Sequence, residues 1–438
     1  MKTNYFLKSA CALVMFTGSV FAFQAKAADP VQVGGFYYAL DDATLTAELV
    51  EIPRADIPDP PHIAYNITGA LVVPATIENA GKTYAVKKIG TNAFRTEAGI
   101  TSISLPDGLE VIGNSSFVEN TGVSSVVVPA TVKTIEGWAF YGCTNLASIN
   151  IPDGIELIDE HLFQQTGLTS IVLPASVKSL KVCAFQDASK LASINLENIT
   201  EIIAWALYGT AITSADIKNV ENIGNEAFRF CPNLETVTLE GVKTTGSWTF
   251  GGCPKLTSVT LGEGLEEIGG GAFSGCSALK TLTIPNSVFS IEDWALEKTA
   301  LTSVYVSWAN VDSDTGDVII AENALGQDEG KPYFTWYVPE ELMVAYPFNW
   351  FGLPVEAEET PGGAGINTVQ GTDATAYHAD GALHLSNLQG NSATVYAIDG
   401  KTVARFQVNS DNAQVPVALP QGVYILKAGK TAIKFIAR

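Results

Sequence analysis

Apolar positions recur along this chain with a period far longer than that of a strand or a helix. A large apolar residue returns every 21 to 23 residues, at Phe94, Phe117, Phe140, Phe163, Phe185, Leu207, Phe228, Phe250, Phe273 and Leu296. A unit of this length cannot enclose a core alone, so successive units must stack to bury each position against its copies. The pattern therefore predicts a solenoid.

Two further apolar columns keep the same register. The position five places before the anchor is Ile112 in one unit and Ile135 in the next, and only Thr245 breaks this column. The position eight places before the anchor is always Leu, Ile or Val in the regular units, as at Val132. The predicted fold is a β-rich solenoid, with parallel strands, short second strands and helical turns.

The repeat pattern is absent from the sequence on both sides of the regular units. An open solenoid end exposes apolar rungs and unpaired strand edges, so we expect a cap at each end. Short alternating segments near the C-terminus predict a small antiparallel β-sandwich. The predicted segments are a signal peptide at 1–27, an N-terminal cap at 28–66, repeats at 67–310, a C-terminal cap at 311–355, a linker at 356–368 and a sandwich tail at 369–438.

The N-terminus has the pattern of a secretory signal peptide. Lys2 and Lys8 precede an apolar run at 10–23, and Ala25-Lys26-Ala27 provides the small residues that a signal peptidase cuts between. We expect export to the cell surface or the medium, with the periplasm as the alternative. No later run is long and apolar enough to predict a transmembrane segment.

Charge and cysteine content narrow the choice of partners. The formal net charge of −21 argues against nucleic acid and anionic lipid as partners. Beyond the signal peptide the cysteines are Cys143, Cys183, Cys231, Cys253 and Cys276, of which all but Cys183 lie three residues after an anchor. An odd number at repeat-equivalent sites favours buried structural thiols over a disulfide framework, although pairing stays open.

The repeats resemble the BspA-like leucine-rich repeats of bacterial surface proteins. Residues 256–261 and 268–276 match the family pattern, which ends in Ala-Phe-x-x-Cys, and the segments around Tyr37, Tyr84 and Val338 are similar to its caps. This resemblance implies a non-enzymatic protein that adheres to host matrix proteins or to other cells. The tail resembles the sorting domain of the type IX secretion route at 395–403 and 419–426, which implies attachment to the cell surface.

The strand positions that point outward form the first candidate binding surface. One column holds Ser or Thr in every regular unit, which is also typical of small residues that let rungs stack. The second column varies and is where we expect contact with a protein partner. Its candidate residues are Asn150, Asn195, Asp216 and Tyr305.

Tryptophans that share one repeat position form the second candidate. They lie two places before the anchor, at Trp138, Trp205, Trp248 and Trp294. Half-exposed indoles stack on sugars or anchor a protein partner. They occupy non-adjacent units, however, and covering the flank of the solenoid explains them equally well. A glycan-binding protein and a non-binding scaffold are therefore the alternatives to adhesion.

Metal and catalytic signals are weak. Asp312, Asp314 and Asp317 alternate as calcium ligands do, but the loop lacks a glutamate at its twelfth position, so an acidic turn is the preferred interpretation. The only local cluster of acids with a histidine surrounds His161, in a repeat turn. We expect no enzyme activity and no cofactor, because a regular ladder presents a flat strip where catalysis needs a concave pocket. The oligomeric state is left open.

Overall fold

The computed structural model describes residues 29–53, 64–308, 318–321, 323–325, 334–339, 342, 349–350, 353–357, 375–379, 382–386, 388–397, 402–410, 412–420, 422–428 and 431–437. The predicted signal peptide and the aspartates at 312–317 lie outside these residues. The chain divides into two compact units, Met1–Ile194 and Asn195–Arg438. Each unit consists of short strands, and no α-helix occurs in the ranges just given.

The first unit begins with a hairpin and continues as a parallel ladder. Its strands are β1 (Val31–Val33), β2 (Phe36–Asp41), β3 (Thr46–Val50), β4 (Gly69–Val72), β5 (Thr76–Asn79), β6 (Lys82–Ile89), β7 (Ile100–Ser104), β8 (Val111–Ile112), β9 (Ser125–Val126), β10 (Thr134–Ile135), β11 (Ser148–Ile149), β12 (Leu157–Ile158), β13 (Ser170–Ile171), β14 (Ser179–Leu180) and β15 (Ser193–Ile194). The first strand of each rung pairs in the order β11-β9-β7-β4, and β13 pairs with β15. The hairpin joins the second strands in the order β1-β2-β3-β6-β8-β10.

The second unit repeats this arrangement and then carries the tail. Its rung and cap strands are β16 (Glu201–Ile202), β17 (Ser214–Ile217), β18 (Asn222–Ile223), β19 (Thr236–Leu239), β20 (Thr244–Thr245), β21 (Ser258–Leu261), β22 (Glu267–Ile268), β23 (Thr281–Ile284), β24 (Ser290–Ile291), β25 (Ser303–Val306), β26 (Ile319–Ile320), β27 (Thr335–Val338), β28 (Asn349–Trp350) and β29 (Leu353–Ala357). First strands pair in the orders β17-β19-β21 and β23-β25-β27-β29-β28. The second strands pair in the order β16-β18-β20-β22-β24-β26.

The tail is a two-sheet antiparallel structure, as predicted. Its strands are β30 (Thr375–Ala379), β31 (Ala382–Ser386), β32 (Ser392–Ala397), β33 (Thr402–Gln407), β34 (Asn412–Pro416), β35 (Gly422–Ala428) and β36 (Thr431–Ala437). One sheet has the order β30-β31-β34 and the other β33-β32-β35-β36. Leu383, Leu385, Val395 and Leu426 are central to its buried core.

The predicted apolar columns form the core of the rungs. Every anchor from Phe94 to Leu296 is buried, as are the two columns before it, including Thr245. In the first unit the rings of Phe117 and Phe140 stack with centroids 5.5 Å apart, and those of Phe140 and Phe163 with centroids 6.0 Å apart. The solenoid prediction is therefore confirmed down to individual side chains.

The segment around each anchor forms hydrogen-bonded turns. Residues two before and two after the anchor have positive φ in every rung, as at Trp138 (62°) and Gly142 (70°). Their N–H groups, and that of the anchor, donate to carbonyls of the following rung: Trp138 to Glu160, Phe140 to Leu162 and Gly142 to Gln164. Intervening N–H groups donate three residues back within the same turn. The prediction of helical turns is therefore wrong: these segments are non-helical turns, because two residues in each have positive φ and alternate N–H groups bond to the next rung.

This backbone geometry leads to a prediction at Gln165, which is exposed and has a φ of 57°. Left-handed backbone costs a residue with a side chain about 1 to 2 kcal/mol, whereas glycine adopts it freely. Gln165→Gly should therefore raise the free energy of unfolding by about 1 kcal/mol, measured by urea denaturation. Gln165→Ala is the matched control, because it removes the side chain but keeps the strain. Equal stability of the two variants would contradict this account.

The cysteines that follow the anchor are free thiols, as predicted. Each thiol donates to the anchor carbonyl of the preceding rung: Cys143 to Phe117 at 3.1 Å and Cys276 to Phe250 at 3.2 Å. Burial raises the pKa of both thiols to about 12. The cysteines therefore help to join one rung to the next.

Candidate binding surfaces

The first strands of the first unit expose a flat, uncharged face, which we call the strand face. Its two outward columns are Ser102, Ser125, Ser148, Ser170 and Ser193, and Val72, Ser104, Val127, Asn150 and Val172. Nearly all of the side-chain surface is open at Val127, with 75% exposed, and at Val172, with 79% exposed. Valines in such positions contribute apolar surface that a partner can cover.

Asn150, a predicted contact residue of this face, is already engaged with the backbone. Its Oδ1 accepts a hydrogen bond from the Val128 N–H at 2.8 Å, and its Nδ2 donates to the Val128 carbonyl at 2.9 Å. Both polar atoms of the amide thus secure the preceding rung. A partner that binds here would therefore contact an amide whose polar atoms are already hydrogen-bonded, between Val127 and Val172.

The corresponding columns of the second unit are more polar. Ser214, Thr236 and Ser258 lie in register, and Asp216 lies in register with Thr238 on the neighbouring strand. Asp216, another predicted contact, forms an ion pair of 3.0 Å with Lys218, and this pairing raises the pKa of the lysine. The predicted residue Asn195 is partly buried.

Tyr305, the last predicted residue of the strand columns, belongs to an aromatic pair. It lies opposite Tyr337 in the register of β25 and β27, and the two rings stack with centroids 5.1 Å apart. Both side chains are partly buried. Tyr337 was not among the predicted residues, since the repeat pattern has ended by this point of the sequence.

Three of the four predicted tryptophans are partly buried, and two of these three lie against the turn of the following rung. In the first unit the Trp138 indole stacks on the His161 ring, with centroids 3.8 Å apart. In the second unit a Cβ atom placed on Gly271 would lie 2.6 Å from the Trp248 ring, so that indole lies against the next rung. Trp205 is also partly buried. Trp294 differs, because 47% of it is exposed.

Trp248 also has a charged neighbour. The Arg229 guanidinium lies 4.5 Å from the Trp248 ring centroid and 4.6 Å from that of Phe230, and it pairs with Glu226 at 2.9 Å. A cation over an indole face is an attractive arrangement. This aromatic and charged cluster stabilises the turns, and it leaves less of the Trp248 ring open than the sequence predicted.

A shallow cavity of about 400 Å³ lies beside these tryptophans in the second unit. Its walls include the indoles of Trp248 and Trp294, and its polar atoms come from Ser247, Ser290, Glu292 and Asp293. Sequence reasoning missed this site, because its lining comes from the turns and second strands of several different rungs. The only sequence feature that pointed to this cavity was a pair of tryptophans two repeats apart, Trp248 and Trp294.

His161 is partly buried in a structural contact, whereas its place in a repeat turn had suggested solvated surface. Its Nδ1 is hydrogen-bonded to the Gln164 amide oxygen, and burial lowers the pKa of the imidazole. Asp159 accepts a hydrogen bond from the neighbouring Glu160 N–H at 2.8 Å. Across the described ranges, no group of three or more His, Cys, Asp or Glu side chains converges in a way that would hold a metal ion.

The part of the chain that the structure describes contains no helix long and apolar enough to cross a bilayer. The fold defines a solenoid of leucine-rich repeats. The family model described as the BspA type leucine rich repeat region (6 copies) matches two overlapping segments, residues 112–234 and 200–313. The rungs of this region are therefore similar to BspA-type repeats, in agreement with the resemblance described above.

Several solved bacterial structures are similar to parts of this chain. A leucine rich cell surface protein of Faecalibacterium prausnitzii A2-165 is 18% identical, with 70% of this chain and 100% of that chain covered and a TM-score of 0.41. A leucine-rich repeat protein of Bacteroides ovatus is 19% identical, with 75% and 100% covered and a TM-score of 0.37. The pneumococcal vaccine antigen PcpA is 15% identical, with 77% and 100% covered and a TM-score of 0.36. No curated protein matches the sequence.

Proposed function

We propose that this chain is an exported, non-enzymatic binding protein that acts at the cell surface, where the strand face adheres to host matrix proteins or to other cells. The signal-peptide pattern supports export, and the resemblance of the tail to a type IX sorting domain supports surface attachment. BspA-type repeats in residues 112–313 support a role in binding. The partner is a protein in this proposal, since proteins cover broad flat surfaces.

The exposure of Val127 and Val172 is the observation that carries the proposal. None of the ten outward side chains of the strand face is charged. Covering one valine side chain contributes about 1.5 kcal/mol, and small serines beside it allow close approach of a partner backbone. Affinity would then arise from several apolar contacts spread over successive rungs, with hydroxyl groups supplying hydrogen bonds.

A charge placed on this face should weaken binding strongly. We expect Val127→Glu and Val172→Glu each to weaken binding to immobilised matrix proteins or whole cells by about tenfold or more, because a carboxylate would be desolvated in the interface. Surface plasmon resonance with the mature chain measures this. Both valines are exposed, so the thermal unfolding midpoint should not change.

Thr134→Glu is the matched control. Thr134 is an exposed β-branched residue of β10, a second strand of the same unit, and lies outside the strand face. The Thr134→Glu variant should retain wild-type binding. Loss of binding in Thr134→Glu equal to that in Val127→Glu would indicate a general charge effect and would contradict the proposed surface.

A further inference from the structure

The cavity beside Trp294 has the chemistry of a small-ligand site. Its volume of about 400 Å³ lies within the range of small-molecule pockets. Trp248, Gly271 and Trp294 hold equivalent positions in three consecutive rungs, and the Trp248 ring lies against Gly271, 2.6 Å from the position that a Cβ atom would take there. Trp294 provides the exposed aromatic surface, with 47% of its area open.

The polar groups of the cavity are held in place by the backbone. The Glu292 carboxylate accepts a hydrogen bond from the Gly270 N–H at 2.8 Å, and the Asp293 carboxylate accepts one from the Asn323 N–H at 3.2 Å. A carboxylate has room for further donors beyond one such bond. These two acceptors therefore stay fixed in orientation and can still receive hydrogen bonds from a ligand.

The charges around the cavity limit the class of ligand. Its lining contains carboxylates and hydroxyls but no Lys, Arg or His, which disfavours an anion. The Trp248 ring already holds one cation, because the Arg229 guanidinium lies 4.5 Å from its centroid, and this leaves Trp294 as the open aromatic surface. An aromatic face beside fixed carboxylates and the hydroxyls of Ser247 and Ser290 suits a neutral ligand with an apolar face and many O–H donors.

We propose that this cavity binds a neutral pyranose unit of a glycan. The C–H face of the sugar stacks on the Trp294 indole, and its hydroxyl groups donate to the carboxylates of Glu292 and Asp293. The site lies where the second strands meet the turns, in the second unit, and involves no residue of the strand face. It adds a carbohydrate-binding activity to the protein adhesion proposed above, and the two proposals fail separately.

The test begins with the mature chain on an array of immobilised neutral oligosaccharides that end in common hexoses and N-acetylhexosamines. The best-binding oligosaccharide is then titrated by calorimetry, and we expect a dissociation constant on the order of 0.1 to 1 mM for one site. Trp294→Ala should weaken binding by about tenfold or more. Phe289→Ala is the matched control, since Phe289 is also 47% exposed but does not line the cavity.

Glu292→Gln removes the negative charge but keeps an oxygen that accepts hydrogen bonds, so it tests the two contributions separately. This variant also provides a second test if Trp294→Ala fails to fold. For a neutral sugar it should weaken binding by about threefold to tenfold, with little change between about 50 and about 500 mM salt. Choline and a trimethyl-lysine peptide are the cationic probes. The proposal is overturned if the folded chain binds only those probes, if it binds no neutral oligosaccharide, or if Trp294→Ala and Phe289→Ala bind equally well.

Discussion

Replacement of Phe140 by alanine is expected to be among the most destabilising single truncations in the core of the first unit. The Phe140 ring is fully buried and stacks on both Phe117 and Phe163. Removing a buried phenylalanine costs about 3 to 5 kcal/mol, because transfer free energy is lost and a cavity remains. The loss of two stacked neighbours places Phe140→Ala at the upper part of this range.

Urea denaturation followed by circular dichroism measures the effect as a shift of the unfolding midpoint. Phe140→Leu should cost only about 1 kcal/mol, since leucine refills most of the volume and Leu207 occupies the same repeat position naturally. Phe289→Ala removes a phenylalanine that is 47% exposed and should cost less than about 0.5 kcal/mol. If Phe140→Ala were no more costly than Phe289→Ala, stacking of the anchor column would not be the main source of stability.

The second large effect is expected for Gly241→Ala, in the turn after β19. A Cβ atom on Gly241 would lie 2.0 Å from the carbonyl oxygen of Lys218 in the preceding rung. The backbone of Gly241 is not in the left-handed region, so the cause is the close approach of two rungs. Since backbone must shift to relieve the overlap, we expect a cost of about 2 to 3 kcal/mol in the free energy of unfolding.

Gly264→Ala provides the matched comparison in the same unit. No atom lies within 4 Å of the Cβ position of Gly264, and its φ is outside the left-handed region. This variant should be neutral or more stable by about 0.5 kcal/mol, because alanine restricts the unfolded chain. Similar midpoints for the two variants would show that the rungs can separate locally at little cost.

The anchor columns were the part of the fold that could be predicted most completely. Burial of an apolar column needs only the period and the residue type, both of which are present in the sequence. The tail was predicted less fully. The alternating segments at 383–388, 394–398, 402–408, 422–427 and 431–436 predicted strands, and they overlap β31 to β33, β35 and β36. The strands β30 and β34 were not predicted, since Thr375–Ala379 and Asn412–Pro416 carry fewer of the large apolar residues that mark a strand.

The left-handed turn positions could be predicted only in part. Gly142 and Gly252 carry the usual signal for positive φ, but Trp138 and Glu226 have the same backbone conformation without it. Their conformation is stabilised by the hydrogen bonds that their N–H groups donate to the next rung. Such bonds connect residues about one repeat apart, so they exist only once the rungs have stacked.

The candidate binding surfaces, like the left-handed turn positions, could be predicted only in part from the sequence. The sequence by itself determined the repeat period, the buried columns and the outward Ser and Thr column, because these follow from residue type and spacing. Only the tertiary structure decided which polar and aromatic groups remain open. Asn150 bonds to the Val128 backbone and Trp138 stacks on His161, whereas Trp294 borders a cavity. The physical reason is that each of these side chains meets whatever the neighbouring rung provides, and periodicity does not contain that information.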